Sequence, residues 1–217
     1  MTIRLYFLQA SRCIRTAWQL EELGLEYEVE FSPRENKVAP QDFKKKAGGP
    51  GKFPTLEDNG AFYYESGNIA EYLEAKYDSQ NKLLAQDIER RFQTLRWVHA
   101  AEGLYMLHGI PVIYVRWFAG EHEDAKKAMI QGLNKNINAN LTQLDEELNK
   151  STGKFLMGDK LSIADIMMHF SVQFLLARGI NAGKEWPRLE RWLKDCGSME
   201  SYKRAVEKTG YDLDQSG

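Results

Sequence analysis

The first third of the chain changes twice between strand-like and helix-like hydrophobic patterning. Residues 3–8 form a run rich in β-favouring side chains, and apolar residues then recur at near-helical spacing from Ile14 to Leu23. Gly24 follows as a suitable helix-ending residue, and residues 27–31 form a second β-favouring run. This order predicts a βαβ unit with two parallel strands and a right-handed connection.

A hairpin and a further helix are predicted next. Residues 55–57 and 61–64 are short β-favouring runs, separated by Asp58-Asn59-Gly60, which tolerates a tight turn. Apolar residues at positions 69, 72, 73 and 77 then follow one helical face, and Ser66 occupies the expected N-cap position. The first part of the chain is therefore predicted as βαβ followed by ββα, which is the thioredoxin-like plan.

The rest of the chain has helical patterning throughout. An apolar stripe with spacings of three and four residues runs from Ile130 to Leu148. Ser162 and Asp165 have the spacing of a capping box, with Leu161 and Ile166 placed as a hydrophobic staple, so Asp165 is predicted to be structural. We therefore expect an α/β domain over residues 1–79, a linker over 80–87 and an all-α domain over 88–217.

Composition narrows the possible partners. The chain has 217 residues, a formal net charge of −2 and 28% charged residues, so it has no basic footprint for nucleic acid or for an anionic membrane. Its two cysteines lie far apart, and no Cys/His cluster has metal-ligand spacing. We expect a cytoplasmic protein that acts on a small molecule and uses no metal.

Candidate binding residues surround the start of the third predicted helix. A helix N-terminus favours a carboxylate, and the Ser66 hydroxyl would add a donor there. Glu65 supplies the opposite charge, Lys52 could hold a second carboxylate, and the backbone of Phe53 beside Pro54 is available for peptide-like hydrogen bonds. The implied ligand is a short acidic peptide.

The run Gly51-Lys52-Phe53-Pro54-Thr55-Leu56-Glu57-Asp58, followed by Glu65-Ser66 and a helix, resembles the glutathione-binding half of cytosolic glutathione transferases. Residues 158–165 and 186–192 resemble two later motifs of that family. The resemblance implies a cis peptide bond at Pro54, glutathione as co-substrate and a homodimer. It also implies conjugation of glutathione to small hydrophobic electrophiles.

Three residues compete for the role of stabilising the glutathione thiolate, which is the nucleophile. Ser11 resembles the serine of theta-like classes, which precedes an arginine by four residues, and it could also cap the first helix. Tyr6 resembles the tyrosine of pi-like classes, although a strand tyrosine is often a core residue. Cys13, in the first helical turn, would instead support peroxidase or thiol-transferase chemistry.

The sequence leaves two further questions open. Leu8, Gln9, Tyr105, Met106 and His108 are candidates for an electrophile pocket, because they follow the first strand or lie in the first helix of the second domain. A binding or regulatory protein that keeps the fold without turnover is the alternative from a different functional class.

Overall fold

The computed structural model describes residues 2–180 and 184–214, which contain four strands and nine α-helices. The strands are β1 (Ile3–Leu8), β2 (Glu28–Ser32), β3 (Thr55–Asp58) and β4 (Ala61–Tyr64). The helices are α1 (Cys13–Glu22), α2 (Gln41–Ala47), α3 (Ser66–Tyr77), α4 (Ile88–Ala100), α5 (Leu107–Phe118), α6 (Glu123–Lys150), α7 (Ile163–Ala177), α8 (Pro187–Gly197) and α9 (Glu200–Thr209). A π-helical turn (Ala101–Met106) joins α4 to α5.

One mixed sheet organises the first part of the chain, with strand order β2-β1-β3-β4. β1 pairs in parallel with β2 and antiparallel with β3, so Leu5 lies between Val29 and Leu56. β3 and β4 form the predicted hairpin, with Asp58 opposite Ala61. The predicted thioredoxin-like βαβ-ββα order, followed by an all-helical part, is confirmed.

The core of this part forms where α1 and α3 pack beside the sheet. Its side chains are almost completely buried because the apolar faces of both helices and the odd-numbered positions of β1 meet there. The fully buried members include Leu5, Phe7, Ile14, Leu20, Leu56, Ile69 and Leu73. This packing fixes the places where α1 and α3 begin.

The chain folds into two compact units. The first comprises Met1–Arg91 together with Gly197–Gly217, and the second is Phe92–Cys196. The C-terminal segment joins the first unit through α9, because the Trp18 indole N–H donates to Ser201 Oγ at 3.0 Å and the Trp18 ring packs edge-on against Tyr202. The domain boundaries proposed from sequence, after residue 79 and before residue 88, stay a prediction.

The second unit is helical, and α6 confirms the predicted long helix. Ile137, Leu141, Leu144 and Leu148 of the apolar stripe are completely buried, whereas its first members are half-buried. Within residues 2–180 and 184–214, the helices all lack the combination of length and apolar character that a bilayer crossing requires.

The predicted capping box at the start of α7 is confirmed. Asp165 is buried, and one of its carboxylate oxygens accepts hydrogen bonds from the Ser162 backbone N–H at 3.0 Å and from the Ser162 hydroxyl at 2.7 Å. The other oxygen accepts from the Leu156 N–H at 2.8 Å and from the Trp192 indole N–H at 2.9 Å. A single carboxylate therefore joins the start of α7, the preceding loop and α8.

We expect Asp165→Asn to lower the free energy of unfolding by about 1–3 kcal/mol, since the amide group would leave one buried N–H without an acceptor. Urea unfolding followed by circular dichroism measures this change. Asp159→Asn removes an exposed carboxylate from the same loop and should change stability by less than about 0.5 kcal/mol. Equal stability of the two variants would contradict a structural role for Asp165.

Candidate functional site

The loop before β3 has the backbone form that the sequence resemblance implied. The Phe53–Pro54 peptide bond is cis, and the Thr55 hydroxyl donates to the Lys52 carbonyl oxygen at 2.9 Å. The Phe53 ring stacks on Phe43 of α2, with ring centroids 4.7 Å apart and planes 11° from parallel. The Lys52 side chain is exposed at the edge of this loop.

Gly49 allows the same loop to approach the end of β4. Its φ is +53°, and an added Cβ would lie 2.3 Å from Cζ of Tyr64. No side chain fits in that space, so the tyrosine ring can lie directly against the backbone only at glycine. Because Tyr64 precedes Glu65 in the chain, this contact links the position of the loop to the start of α3.

The structure places Glu65, rather than Ser66, at the N-cap position of α3. Glu65 has φ 66° and ψ 120°, an unusual conformation for a residue with a side chain, and it makes no side-chain capping bond to the described residues. Ser66 is the first residue of the helix. Residues in sparsely populated conformations occur preferentially at functional sites. Because the Glu65 side chain does not cap the helix, the N–H groups of the first turn are left available to an anion.

A buried arginine of α1 donates a hydrogen bond to Ser66, a role that the sequence did not indicate. The Arg15 guanidinium donates from Nη1 to Ser66 Oγ at 3.0 Å, and Arg15 is only 1% exposed. The hydroxyl oxygen of Ser66 is thus an acceptor for Arg15, and its hydrogen can be donated to another group. The one available signal was spacing, because Arg15 follows Ser11 by one helical turn.

Ser11 lies between β1 and α1 and is buried. Its Oγ accepts from the Cys13 N–H at 3.3 Å, and its hydroxyl donates to the Leu8 carbonyl oxygen at 2.6 Å. The structure places Arg12, rather than Ser11, at the N-cap position of α1, and Arg12 makes no side-chain capping bond to the described residues. Ser11 lies one position earlier and accepts from the N–H of the first helical residue. Its oxygen lies at the N-terminus of α1, where the helix dipole favours negative charge.

The two other candidates for thiolate stabilisation have different surroundings. The Tyr6 hydroxyl donates to Glu57 Oε2 at 3.0 Å, and burial is the main cause that raises its pKa. The Cys13 thiol is 0% exposed, and burial raises its pKa to about 11. Cys13 Sγ contacts the Leu8 N–H and the Tyr6 carbonyl, which places it inside the fold.

The five candidate pocket residues fall into two groups. Leu8 and Gln9 lie together at the end of β1 in the first unit, where Gln9 Oε1 accepts from the Arg34 backbone N–H at 3.0 Å. In the second unit, Tyr105 and Met106 are buried in the π-helical turn, and His108 follows at the start of α5. π-Helical turns are frequent at functional sites.

We expect Gly49→Ala to weaken the loop that precedes β3, because the new methyl group would collide with Tyr64 in addition to straining a positive φ. Gly60→Ala is the matched control, since Gly60 has φ +85° and open space around its added Cβ. Urea unfolding should show a larger loss for Gly49→Ala, by about 1–3 kcal/mol. Equal losses in the two variants would contradict the contact with Tyr64.

Comparison with known proteins agrees with this geometry. Residues 5–81 match the profile of the glutathione S-transferase N-terminal domain, and residues 110–200 match that of the C-terminal domain. Glutathione S-transferase 1 of Saccharomyces cerevisiae is 28% identical, with 95% of this chain and 94% of the relative aligned. The glutathione S-transferase-like protein OpS6 of Beauveria bassiana is 31% identical, with 82% of each aligned. A glutathione transferase family member from Pseudomonas fluorescens, solved with two glutathione bound, is 25% identical with a TM-score of 0.78, covering 94% of this chain and 92% of that one. The chain therefore belongs to the glutathione S-transferase family.

Proposed function

We propose that the first unit binds glutathione and that the protein conjugates its thiolate to small hydrophobic electrophiles. Family membership supports glutathione transferase activity in general. The observation that carries the proposal is the start of α3, where Ser66 is held by the buried Arg15 and the first-turn N–H groups have no capping side chain among the described residues. That arrangement suits the carboxylate of an α-amino acid.

Each end of the tripeptide has a partner in this proposal. The γ-glutamyl carboxylate accepts from Ser66 and from the N–H groups at the start of α3, and its ammonium group pairs with Glu65. The backbone of Phe53, beside the cis bond to Pro54, hydrogen-bonds the peptide part of the ligand. Lys52 is exposed and has no ion-pair partner among the described residues, which leaves it available for the glycyl carboxylate.

Ser11 is the residue that we assign to the sulfur. Donation of its hydroxyl hydrogen, together with the N-terminus of α1, favours the thiolate over the thiol. The thiolate then forms a C–S bond with an electrophilic carbon, and the leaving group departs with the electron pair of the broken bond. Where the electrophile is an activated double bond, its electron pair instead takes a proton from water.

The alternatives have less support from the surroundings of their residues. The Tyr6 hydroxyl donates to the charged carboxylate of Glu57, a stronger acceptor than the neutral Leu8 carbonyl to which Ser11 donates. A thiol-transferase would need an accessible Cys13 with a lowered pKa, whereas burial raises the pKa of Cys13. A binding protein without turnover would keep the same start of α3, so an activity assay decides that case. The homodimer, which the family resemblance implies, and the cytoplasmic location, which we expect from composition, both stay predictions.

Ser66→Ala tests the proposed carboxylate contact. We expect the dissociation constant of glutathione, measured by calorimetry, to rise about tenfold or more, since a hydrogen bond to a charged group contributes about 1.5–3 kcal/mol. Ser79→Ala, an exposed position after α3, should leave the dissociation constant unchanged. Unaltered affinity in Ser66→Ala would remove the central contact of the proposal.

Ser11→Ala tests the proposed thiolate contact. We expect kcat/KM toward an aromatic halide to fall about 100-fold. The pKa of bound glutathione, followed through thiolate absorbance, should rise toward the free value of about 8.5. Loss of the bond to the Cys13 N–H should also cost about 0.5–1.5 kcal/mol of stability, the usual contribution of a neutral hydrogen bond.

Tyr6→Phe and Cys13→Ser are the companion variants for the same assays. Both should keep the pKa of the bound thiol and most of kcat/KM. Loss of activity in Tyr6→Phe, with Ser11→Ala active, would move the assignment to Tyr6. Loss of a thiol-transferase activity in Cys13→Ser would favour the alternative chemistry.

A further inference from the structure

Two buried acidic residues lie one helical turn apart at the end of α3. Glu74 is 6% exposed, and Asp78, which follows the last residue of the helix, is 8% exposed. Residues four apart on a helix lie on one face, so the two carboxyl groups are neighbours. Like charges at this spacing repel each other, and burial makes the repulsion stronger.

The hydrogen bonds of this pair connect three parts of the first unit. Gln19 of α1 donates from Nε2 to Glu74 Oε1 at 2.8 Å and to the Ala70 carbonyl at 2.9 Å. Asp78 Oδ2 accepts from the Leu83 backbone N–H at 2.9 Å. Asp78 thus ties the segment that follows α3 back onto the helix end.

The second oxygen of Glu74 is buried without a hydrogen-bond donor in the part of the chain that the structure describes. Glu74 Oε2 is completely buried, and no N–H or O–H of the described residues donates to it. Burial, followed by the interaction with Asp78, raises the pKa of Glu74 to about 8. Burial opposes ionisation of Asp78, but hydrogen bonds from Glu74 and from the Leu83 N–H lower its pKa overall. A proton on Glu74 Oε2, donated to Asp78, satisfies both groups.

The other groups that face the pair do not neutralise it. The charge of Arg91 in α4 lowers the pKa of Glu74, but its effect is smaller than those of burial, Asp78 and Gln19. Lys82, in turn, lowers the pKa of Asp78. From α1 the pair receives the uncharged amide of Gln19. A cavity of about 240 Å³ beside the pair gives water and the following segment room to move. It is lined by Glu74, Ala75, Asp78, Ser79, Asn81, Leu84, Gln86 and Arg91.

We propose that Glu74 and Asp78 form a proton-linked latch, which holds residues 79–87 against the end of α3 while Glu74 is protonated and releases them when it ionises. In the released state Glu74 is solvated, and its pKa returns to the ordinary value of 4.5. The latch is therefore strongest below about pH 4.5, weakens as the pH rises toward 8 and changes little above that.

Amide hydrogen exchange of the full-length protein, measured by mass spectrometry on peptides within residues 79–87, tests the latch. Wild type and Glu74→Gln are compared at each pH, so that the intrinsic pH dependence of exchange cancels. The glutamine keeps an acceptor for Gln19 and a donor for Asp78, and so imitates protonated Glu74. We expect the ratio of exchange rates, wild type over variant, to rise by up to about tenfold per pH unit between pH 5 and 7.5. The ratio should level off above pH 8.

Two further variants make the test specific. Glu89→Gln removes an exposed carboxylate from the first turn of α4 and should follow wild type at every pH. Asp78→Asn removes the charge that opposes ionisation of Glu74. In this variant the exchange rate of residues 79–87, relative to that of Glu74→Gln, should therefore rise less with pH, and the rise should end at a lower pH. A ratio for Glu74→Gln that stays constant from pH 5 to 8 would overturn the proposal, as would an unchanged profile in Asp78→Asn.

Discussion

The candidate site depends on two buried polar side chains that extend from α1 to α3. Arg15 donates to Ser66 in the first turn of α3, and Gln19 donates to Ala70 and Glu74 in the later turns. Burying a charged or amide group without partners costs several kcal/mol, on the order of 2–7 for an amide. Sliding or rotation of α3 along α1 would leave these groups without partners. The bonds therefore fix the first turn of α3 relative to the start of α1.

This constraint concentrates positive potential at one place. Both helices begin at the same end of their shared packing surface, and each N-terminus carries about half a positive charge. The buried Arg15 adds a full charge beside Ser66, and Ser11 lies in the turn between β1 and α1. The preference for an anionic ligand that we propose for this site would therefore arise from the fold itself. Glu65 and Lys52 are exposed, and in the proposed complex they would add selectivity for a zwitterion with a second carboxylate.

The sequence predicted most features that depend on neighbouring residues, although the N-cap of α3 is Glu65 and not the predicted Ser66, and it missed the features that depend on burial. Periodicity was sufficient for the βαβ-ββα order and the long helix α6, and the Ser162–Asp165 spacing was sufficient for the capping box. The buried Arg15 bonds to Ser66, and Gly49 lies against Tyr64. The partners in each contact are far apart in the chain, so no local sequence pattern predicts them. The spacing of Glu74 and Asp78 is visible in the sequence, but the shared proton that we propose for them depends on their burial, which no local pattern reports.

The assignment of Ser11 requires that its hydroxyl hydrogen leave one acceptor for another. The hydrogen is donated to the Leu8 carbonyl, and its transfer to a sulfur would leave that carbonyl without this bond. A neutral hydrogen bond contributes about 0.5–1.5 kcal/mol, whereas one to a charged group contributes about 1.5–3. A thiolate is therefore a better acceptor than the Leu8 carbonyl, whereas a neutral thiol is not. The Ser11 oxygen can meanwhile keep its bond from the Cys13 N–H, so that the first N–H of α1 keeps its acceptor. If Ser11 has the role that we propose, only ionised sulfur would draw the hydrogen away from Leu8, and this preference would lower the pKa of a bound thiol.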